Sequence, residues 1–288
     1  MEKKIIVLVL LLSAVSFAQV GIGTLTPDAS AVLDVSSSTK GLLPPRLTTE
    51  QRNAMTNPTA GLAIYNSTLD CLEIYNGVRW LNHGSLTSND VYSPATGQIW
   101  MNRNLGAIQA ATSSTDFNAY GSLFQWGRAA DGHQQINWTS ATAGTPTTDL
   151  ITSTLSDSPL NARFITPLGA PFDWRTTPND NLWQGVNGTN NPCPSGYRLP
   201  TEAEWNAERS SWASQNTAGA FASPLKLTTA GMRANSNGTL TSTGSNGYYW
   251  SSTVNAGQSR YLYIAPSPPI GTDSMLRSYG FSVRCIKN

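Results

Sequence analysis

PCPSGYRLPTEAEW, residues 192–205, holds a cysteine, an arginine, two glutamates and a tryptophan. Two carboxylates two residues apart, Glu202 and Glu204, suit general acid/base chemistry, and they suit a helix start equally well. Pro200 cannot continue a preceding helix. Thr201 is a good N-cap, and Glu204 follows three residues later. That is a capping box, in which the threonine oxygen accepts from the glutamate N–H and the glutamate reaches back. Glu202, at the first helical position, meets the positive end of the helix dipole. Trp205 and Trp212 are seven residues apart and predict one buried helix face. Both glutamates therefore have structural work at a helix entrance.

The chain has three cysteines, Cys71, Cys193 and Cys285. Cys193 and Cys285 share the C-terminal half and are paired in this reading. Closing a loop of about 90 residues is worth up to about 4–5 kcal/mol in the chain-entropy account. Cys71 is then either buried and unbridged or bonded to another chain.

The first residues agree with an oxidising destination. Lys3 and Lys4 precede the apolar run Ile5–Leu12, and Ser16 and Ala18 stand at the positions of a cleavage site before Gln19. Residues 1–18 read as a secretory signal peptide, so the expected location is secreted or at the cell surface. No later stretch approaches the ~20 apolar residues of a membrane span. Without the leader, 16 basic residues balance 16 acidic ones. Such a chain has no electrostatic footprint for nucleic acid. Abundant Gly, Asn, Ser and Thr, with 9 Trp and 10 Tyr, fit a loop-rich extracellular protein.

Residues 19–83 form a first unit. Val32–Val35 alternates briefly, Thr48 with Gln51 predicts a short helix over Gln51–Met55, and Leu62–Tyr65 with Leu72–Tyr75 reads as a β-hairpin across the turn Asn66–Asp70. A lone hairpin is marginal in water, so this unit should pack on the next domain or on copies of itself. Residues 84–97 read as a polar linker. Residues 98–288 form a second domain with short strands expected at Gln98–Asn102, Leu225–Thr228, Gly247–Ser251, Tyr261–Ala265 and Ser282–Ile286.

Two resemblances sharpen this outline. GIGT from Gly21, LDVSS from Leu33 and the YNG segment ending at Trp80 resemble a repeat of secreted Bacteroidota surface proteins, whose relatives occur in stalks and fibres, often trimeric. GYRLPTEAEW and the terminal GFSVRCIKN resemble the formylglycine-generating enzyme family, a variant of the C-type lectin fold. The match is closer to the Fibrobacter succinogenes major paralogous domain, through IWMNRNLGA (99–107), YGSLFQWGR (120–128), NPCPSGYRLPTEAEW (191–205), GYYWSST (247–253) and GFSVRCIK (280–287). The resemblance implies an α+β, C-type lectin-like domain, loop-rich with short strands, and it pairs Cys193 with Cys285 as above.

The enzyme family's chemistry uses two C-terminal cysteines to bind copper. Here Cys285 stands alone in that segment, with Gly280 where the second is needed, so no enzymatic activity is expected. HExxH, GxSxG and P-loop patterns are missing, and His83 and His133 lie far apart in sequence. His133 is expected to hydrogen-bond within a loop. No cofactor or metal is assigned; Asp131, Asp173 and Asp180, with loop carbonyls, are the candidate ligands of a structural Ca²⁺.

Residues 254–279 have a paratope-like mixture of Tyr, Arg, Ser and Asn. In lectin-like proteins diversified by retroelements, the corresponding interval resembles the ligand-binding variable region. This nominates Asn255, Gln258, Ser259, Arg260, Tyr261, Tyr263 and Arg277 as ligand contacts, and Tyr248, Tyr249 and Trp250 as framework. The expected function is recognition of an extracellular glycan or protein. The alternatives are a structural fibre subunit, trimeric through the N-terminal unit, and an oxidase acting on a cysteine peptide.

Overall fold

The computed structural model describes residues 19–68, 71–78, 80–82, 89–146, 150–159 and 161–288. The expected leader, His83, Asp70 of the predicted turn and residues 84–88 of the expected linker lie outside them. Short strands, few helices and long turns make up the rest, an α+β to mainly β architecture.

In the N-terminal unit, β1 (Val20–Ile22) runs parallel to β2 (Leu33–Val35). β3 (Arg46–Leu47), β4 (Ala63–Asn66), β5 (Cys71–Tyr75) and β6 (Trp80–Asn82) form one sheet in that order. The predicted hairpin is β4–β5. Helix α1 (Thr49–Asn53) follows the reciprocal cap of Thr48 and Gln51. It starts two residues before the expected Gln51, because the cap is at Thr48. The inward face of the hairpin is partly polar: Ile64, Asn66, Cys71 and Glu73 are buried. Arg52 Nη1 and Asn66 Nδ2 donate to the Glu73 carboxylate at 2.5 and 2.9 Å. Leu72, Ile74 and Leu81, on the other face, are only half-buried. Cys71 is buried and not disulfide-bonded.

The head begins ahead of residue 98. β7 (Asp90–Ser93) pairs antiparallel with β8 (Gln98–Met101), so residues 90–97, expected as linker, are a hairpin of the head. Gly97, at φ +69°, takes a left-handed turn conformation that favours glycine. Along the chain follow β9 (Phe124–Gln125), β10 (Ile136–Ser140), β11 (Ala143–Pro146), β12 (Leu150–Ile151), β13 (Phe164–Ile165) and β14 (Tyr197–Arg198). Then come helices α2 (Glu202–Ser210) and α3 (Thr217–Ala222), and strands β15 (Met232–Arg233), β16 (Leu240–Thr241), β17 (Gly247–Asn255), β18 (Gln258–Ile264), β19 (Gly271–Met275), β20 (Gly280–Phe281) and β21 (Ile286–Lys287). The main sheets have the orders β14-β21-β8-β7, β16-β15-β20-β9 and β17-β18-β19.

The opening stretch folds as its residues dictate. The Thr201 hydroxyl accepts from the Glu204 N–H at 3.2 Å, and the Thr201 N–H donates back to Glu204 at 2.7 Å. Trp205 is fully buried, 4.9 Å from the Trp100 ring centre. Trp212 is buried too, but α2 ends at Ser210, so it lies in the turn beyond rather than on the helix face. Cys193 and Cys285 form a disulfide that closes a separation of 92 residues.

Strand alternation divides the core. Tyr248, Trp250 and Tyr261 face one cluster with Phe281, Trp126 and Trp183, while Tyr249, Leu262 and Ile264 face another with Trp100 and Trp205. Tyr248, Tyr249 and Trp250 are thus framework, as expected. Two expected strands differ. Leu225–Thr228 is not a strand: the Thr228 N–H donates to the Tyr249 hydroxyl at 2.7 Å, so a side chain takes the place of a ladder. Ser282–Ile286 is interrupted between β20 and β21, where Arg284 turns inward to Asn104 Oδ1 and the carbonyls of Met101 and Leu225.

Arg284 belongs to a set of fully buried arginines with Arg128, Arg233 and Arg277. Loops leave carbonyls that no ladder satisfies, and a guanidinium supplies five donors. Arg233 donates to the Gly238 and His133 carbonyls and lies 4.0 Å over the Phe164 ring. Burial lowers both Arg233 and Arg284 to about 10, which still leaves them charged at neutral pH. Among the described residues, no helix is long and apolar enough to cross a membrane.

Candidate functional site

The seven nominated residues lie on or beside the sheet β17-β18-β19, but they do not form one surface. Cross-strand register assigns the faces. Asn255 is opposite Gln258, and Arg260 is opposite Ser274. On that face Arg260 donates to Ser274 Oγ at 2.9 Å and to Glu202 of α2, and Asn255 donates to Ser274 Oγ at 2.8 Å. Thr272 Oγ1 also donates to Glu202, at 2.7 Å. This face is a polar seam between the sheet and α2.

Ser259, Tyr261 and Tyr263 point the other way. Ser259 is fully buried and accepts from Arg277 Nε at 3.1 Å. Arg277 is 1% exposed, donates to Asp180, lies 3.7 Å from Asp173, and stacks 4.4 Å over the Trp126 ring. Both residues are framework rather than exposed ligand contacts, because Arg277 is buried against Trp126 between two aspartates and Ser259 is buried beneath it. Tyr261 is 6% exposed, so only its tip is available.

That tip opens into a cleft of about 440 Å³ lined by Met232, Tyr248, Tyr261, Tyr263, Asp273, Met275 and the segment Pro269–Thr272. Tyr248 packs 5.2 Å from Tyr263 and 6.0 Å from Tyr261, forming a continuous aromatic floor. Asp273 is directly opposite Tyr261 in the ladder and exposed, and its Oδ1 accepts from the Ser274 N–H at 2.7 Å. Burial, then the Asp273 carboxylate and the neighbouring tyrosines, pushes the Tyr261 phenol up to about 12. Burial, then Tyr248, raises Tyr263 as well. The phenols are therefore neutral at physiological pH, and neither the Tyr261 nor the Tyr263 hydroxyl hydrogen-bonds another described residue. Asp273, Met232 and Met275 were missed in the sequence. The readable signal was the PSPPIG turn (266–271), which folds 254–279 into strand, turn and strand and brings Asp273 beside Tyr261.

The carboxylate pair is not in this cleft. Hydrogen bonding from Arg260 holds Glu202 below the usual carboxylate range. Burial works against ionisation of Glu204, but the paired bonds from Arg198, at 2.9 and 2.7 Å, outweigh it and lower its value. Two ionised, ion-paired carboxylates are poor general acids.

The three aspartates considered for calcium each meet a cation. Asp131 pairs with Arg128 and with His133, and Asp173 and Asp180 flank Arg277. Among the described residues, no group of three His, Cys, Asp or Glu side chains is placed to hold a metal ion. His133 is fully buried in its loop, where Nε2 accepts from the Gln125 N–H at 3.1 Å and Nδ1 lies 2.6 Å from Asp131. Burial foremost, with Arg128 and Arg233 nearby, lowers it to about 4, so the ring is neutral at physiological pH.

The family model described as a phage tail like trimerisation region matches residues 21–98, the N-terminal unit together with β7 and the turn that follows it. No curated protein and no solved structure matches the chain.

Proposed function

We propose that this chain is a secreted, non-enzymatic surface protein. Its N-terminal unit assembles copies into a trimeric stalk. Its C-type lectin-like head, of the Fibrobacter succinogenes major paralogous kind, recognises an extracellular glycan or protein at the aromatic cleft. The match of residues 21–98 to a trimerisation region carries the reading. The surface agrees with it: Val20, Ile22 and Leu33 in the paired strands β1 and β2 are 51–55% exposed, and parallel pairs with apolar side chains are normally covered. The disulfide and the ion-paired glutamates support the non-enzymatic part, since a thiolate at Cys285 is what copper binding needs.

Sedimentation equilibrium of the chain from Gln19 tests the assembly. A trimer that Leu33→Asp or deletion of residues 19–83 converts to monomer is expected; a monomeric parent at micromolar concentration refutes it. The same match equally favours a purely structural fibre subunit with the head as cap. A glycan and surface-protein array separates the two, because a cap gives no hit that Tyr263→Ala abolishes.

A further inference from the structure

We infer that the cleft takes the lysine or arginine side chain of an extended peptide laid along β19. This rests on the head being a recognition module and names the chemistry of its partner. Three observations converge. First, the floor is aromatic, with Tyr248, Tyr261 and Tyr263 packed side by side and flanked by the thioethers of Met232 and Met275. Tyr263, the half-exposed member, offers a cation an electron-rich ring, and methionine adapts to an aliphatic stem.

Second, the charge is one-sided. Asp273 is the only charged residue among the described ones lining the cleft, directly opposite Tyr261. Arg260 is one residue from Tyr261 but projects to the opposite face, held there by Glu202 and Ser274. A cation over the tyrosines therefore finds a carboxylate beside it, at the junction of an apolar floor and an exposed rim.

Third, β19 is the edge of its sheet. It pairs with β18 on one side, and no described strand pairs with the other. An open edge next to a pocket is the arrangement by which an extended peptide gains affinity from its main chain and selectivity from alternate side chains. Carbohydrate, by contrast, has no repeating main chain to pair along a strand edge.

The probes are acetyl-Thr-Val-Lys-Val-Thr-amide, its norleucine twin and a neutral oligosaccharide mixture, titrated into the ¹⁵N-labelled full chain and followed by chemical shift. The lysine peptide is expected to shift the amides of β19 and of Tyr261 and Tyr263, and to bind roughly tenfold more tightly than the norleucine twin. Asp273→Asn, an exposed and isosteric change, should reduce that difference severalfold while leaving the melting temperature unchanged. Equal binding of the two peptides, or a lysine preference untouched by Asp273→Asn, overturns the inference. Shifts in the cleft from oligosaccharide alone also overturn it, yet leave the head as a recognition module. An array on which the parent and Tyr263→Ala score alike counts against the module itself.

Discussion

Breaking the bridge between Cys193 and Cys285 has a calculable effect. It joins residues 92 apart, and a loop of that size restricts the unfolded chain by about 4.6 kcal/mol at 25 °C in the chain-entropy account. For a head of this size each kcal/mol moves the melting temperature by roughly 2–4 °C, so reduction should lower it by roughly 9–18 °C. Cys285 is fully buried, and Ser in its place adds an unsatisfied hydroxyl. The clean variant is therefore Cys193→Ala/Cys285→Ala. Differential scanning calorimetry of the chain from Gln19, oxidised, reduced and doubly substituted, gives the three temperatures, with alkylation and mass spectrometry reporting the thiols. Reduced and oxidised forms that melt together, with both thiols demonstrably alkylated, would refute the entropic reasoning. A free Cys285 thiol in protein purified without reductant would refute the bridge and restore an oxidase as a live reading.

Three further outcomes are expected. Thr201→Ala should cost about 1 kcal/mol in denaturant unfolding by removing the cap of α2, and Thr201→Ser should restore most of it. Arg277→Ala should cost about 3–5 kcal/mol, because it strands the buried Asp173 without its cation. Glu208 is fully buried with no cationic partner among the described residues; burial raises its pKa despite the 2.6 Å bond from Ser93 Oγ. Its folded form keeps the proton longer than its unfolded form. Stability from this group is complete below the unfolded value of 4.5 and is lost as pH rises through the folded value. Glu208→Gln should therefore gain stability relative to the parent as pH rises from 4 to 7, measured by urea unfolding; a constant difference across that range would exclude the linkage.

What could be read in the sequence was local chemistry. Both capping boxes, at Thr48 and Thr201, appear as written, because a cap involves four consecutive residues and little else. The hairpin β4–β5 and the strand from Gly247 follow from alternation and turn residues. What escaped depends on distant partners. Leu225 and Leu227 are buried as their spacing suggests, but the chain there is tied by the Tyr249 hydroxyl instead of a neighbouring strand. Ser259 and Arg277 have the composition of a binding surface, yet Asp180, Asp173 and Trp126 draw the arginine inside. The hairpin at 90–97 reads as linker because it is polar, and the β21 strand that completes its sheet lies nearly 200 residues away. The two faces of the β18 strand, which decide the candidate cleft, were legible in its alternation once its strand character was granted.

The place of β21 has a consequence for how the head is made. It lies between β14 and β8, so a strand from residues 286–287 occupies an interior position beside one of the first strands of the head. Residue 285, immediately before it, is also the second half of the bridge. Nothing synthesised earlier can close that sheet, so assembly of the head waits for residues 285–287 to emerge. A product cut short there is left with an open sheet and an unpaired Cys193 thiol, two marks by which cellular quality control distinguishes unfinished chains.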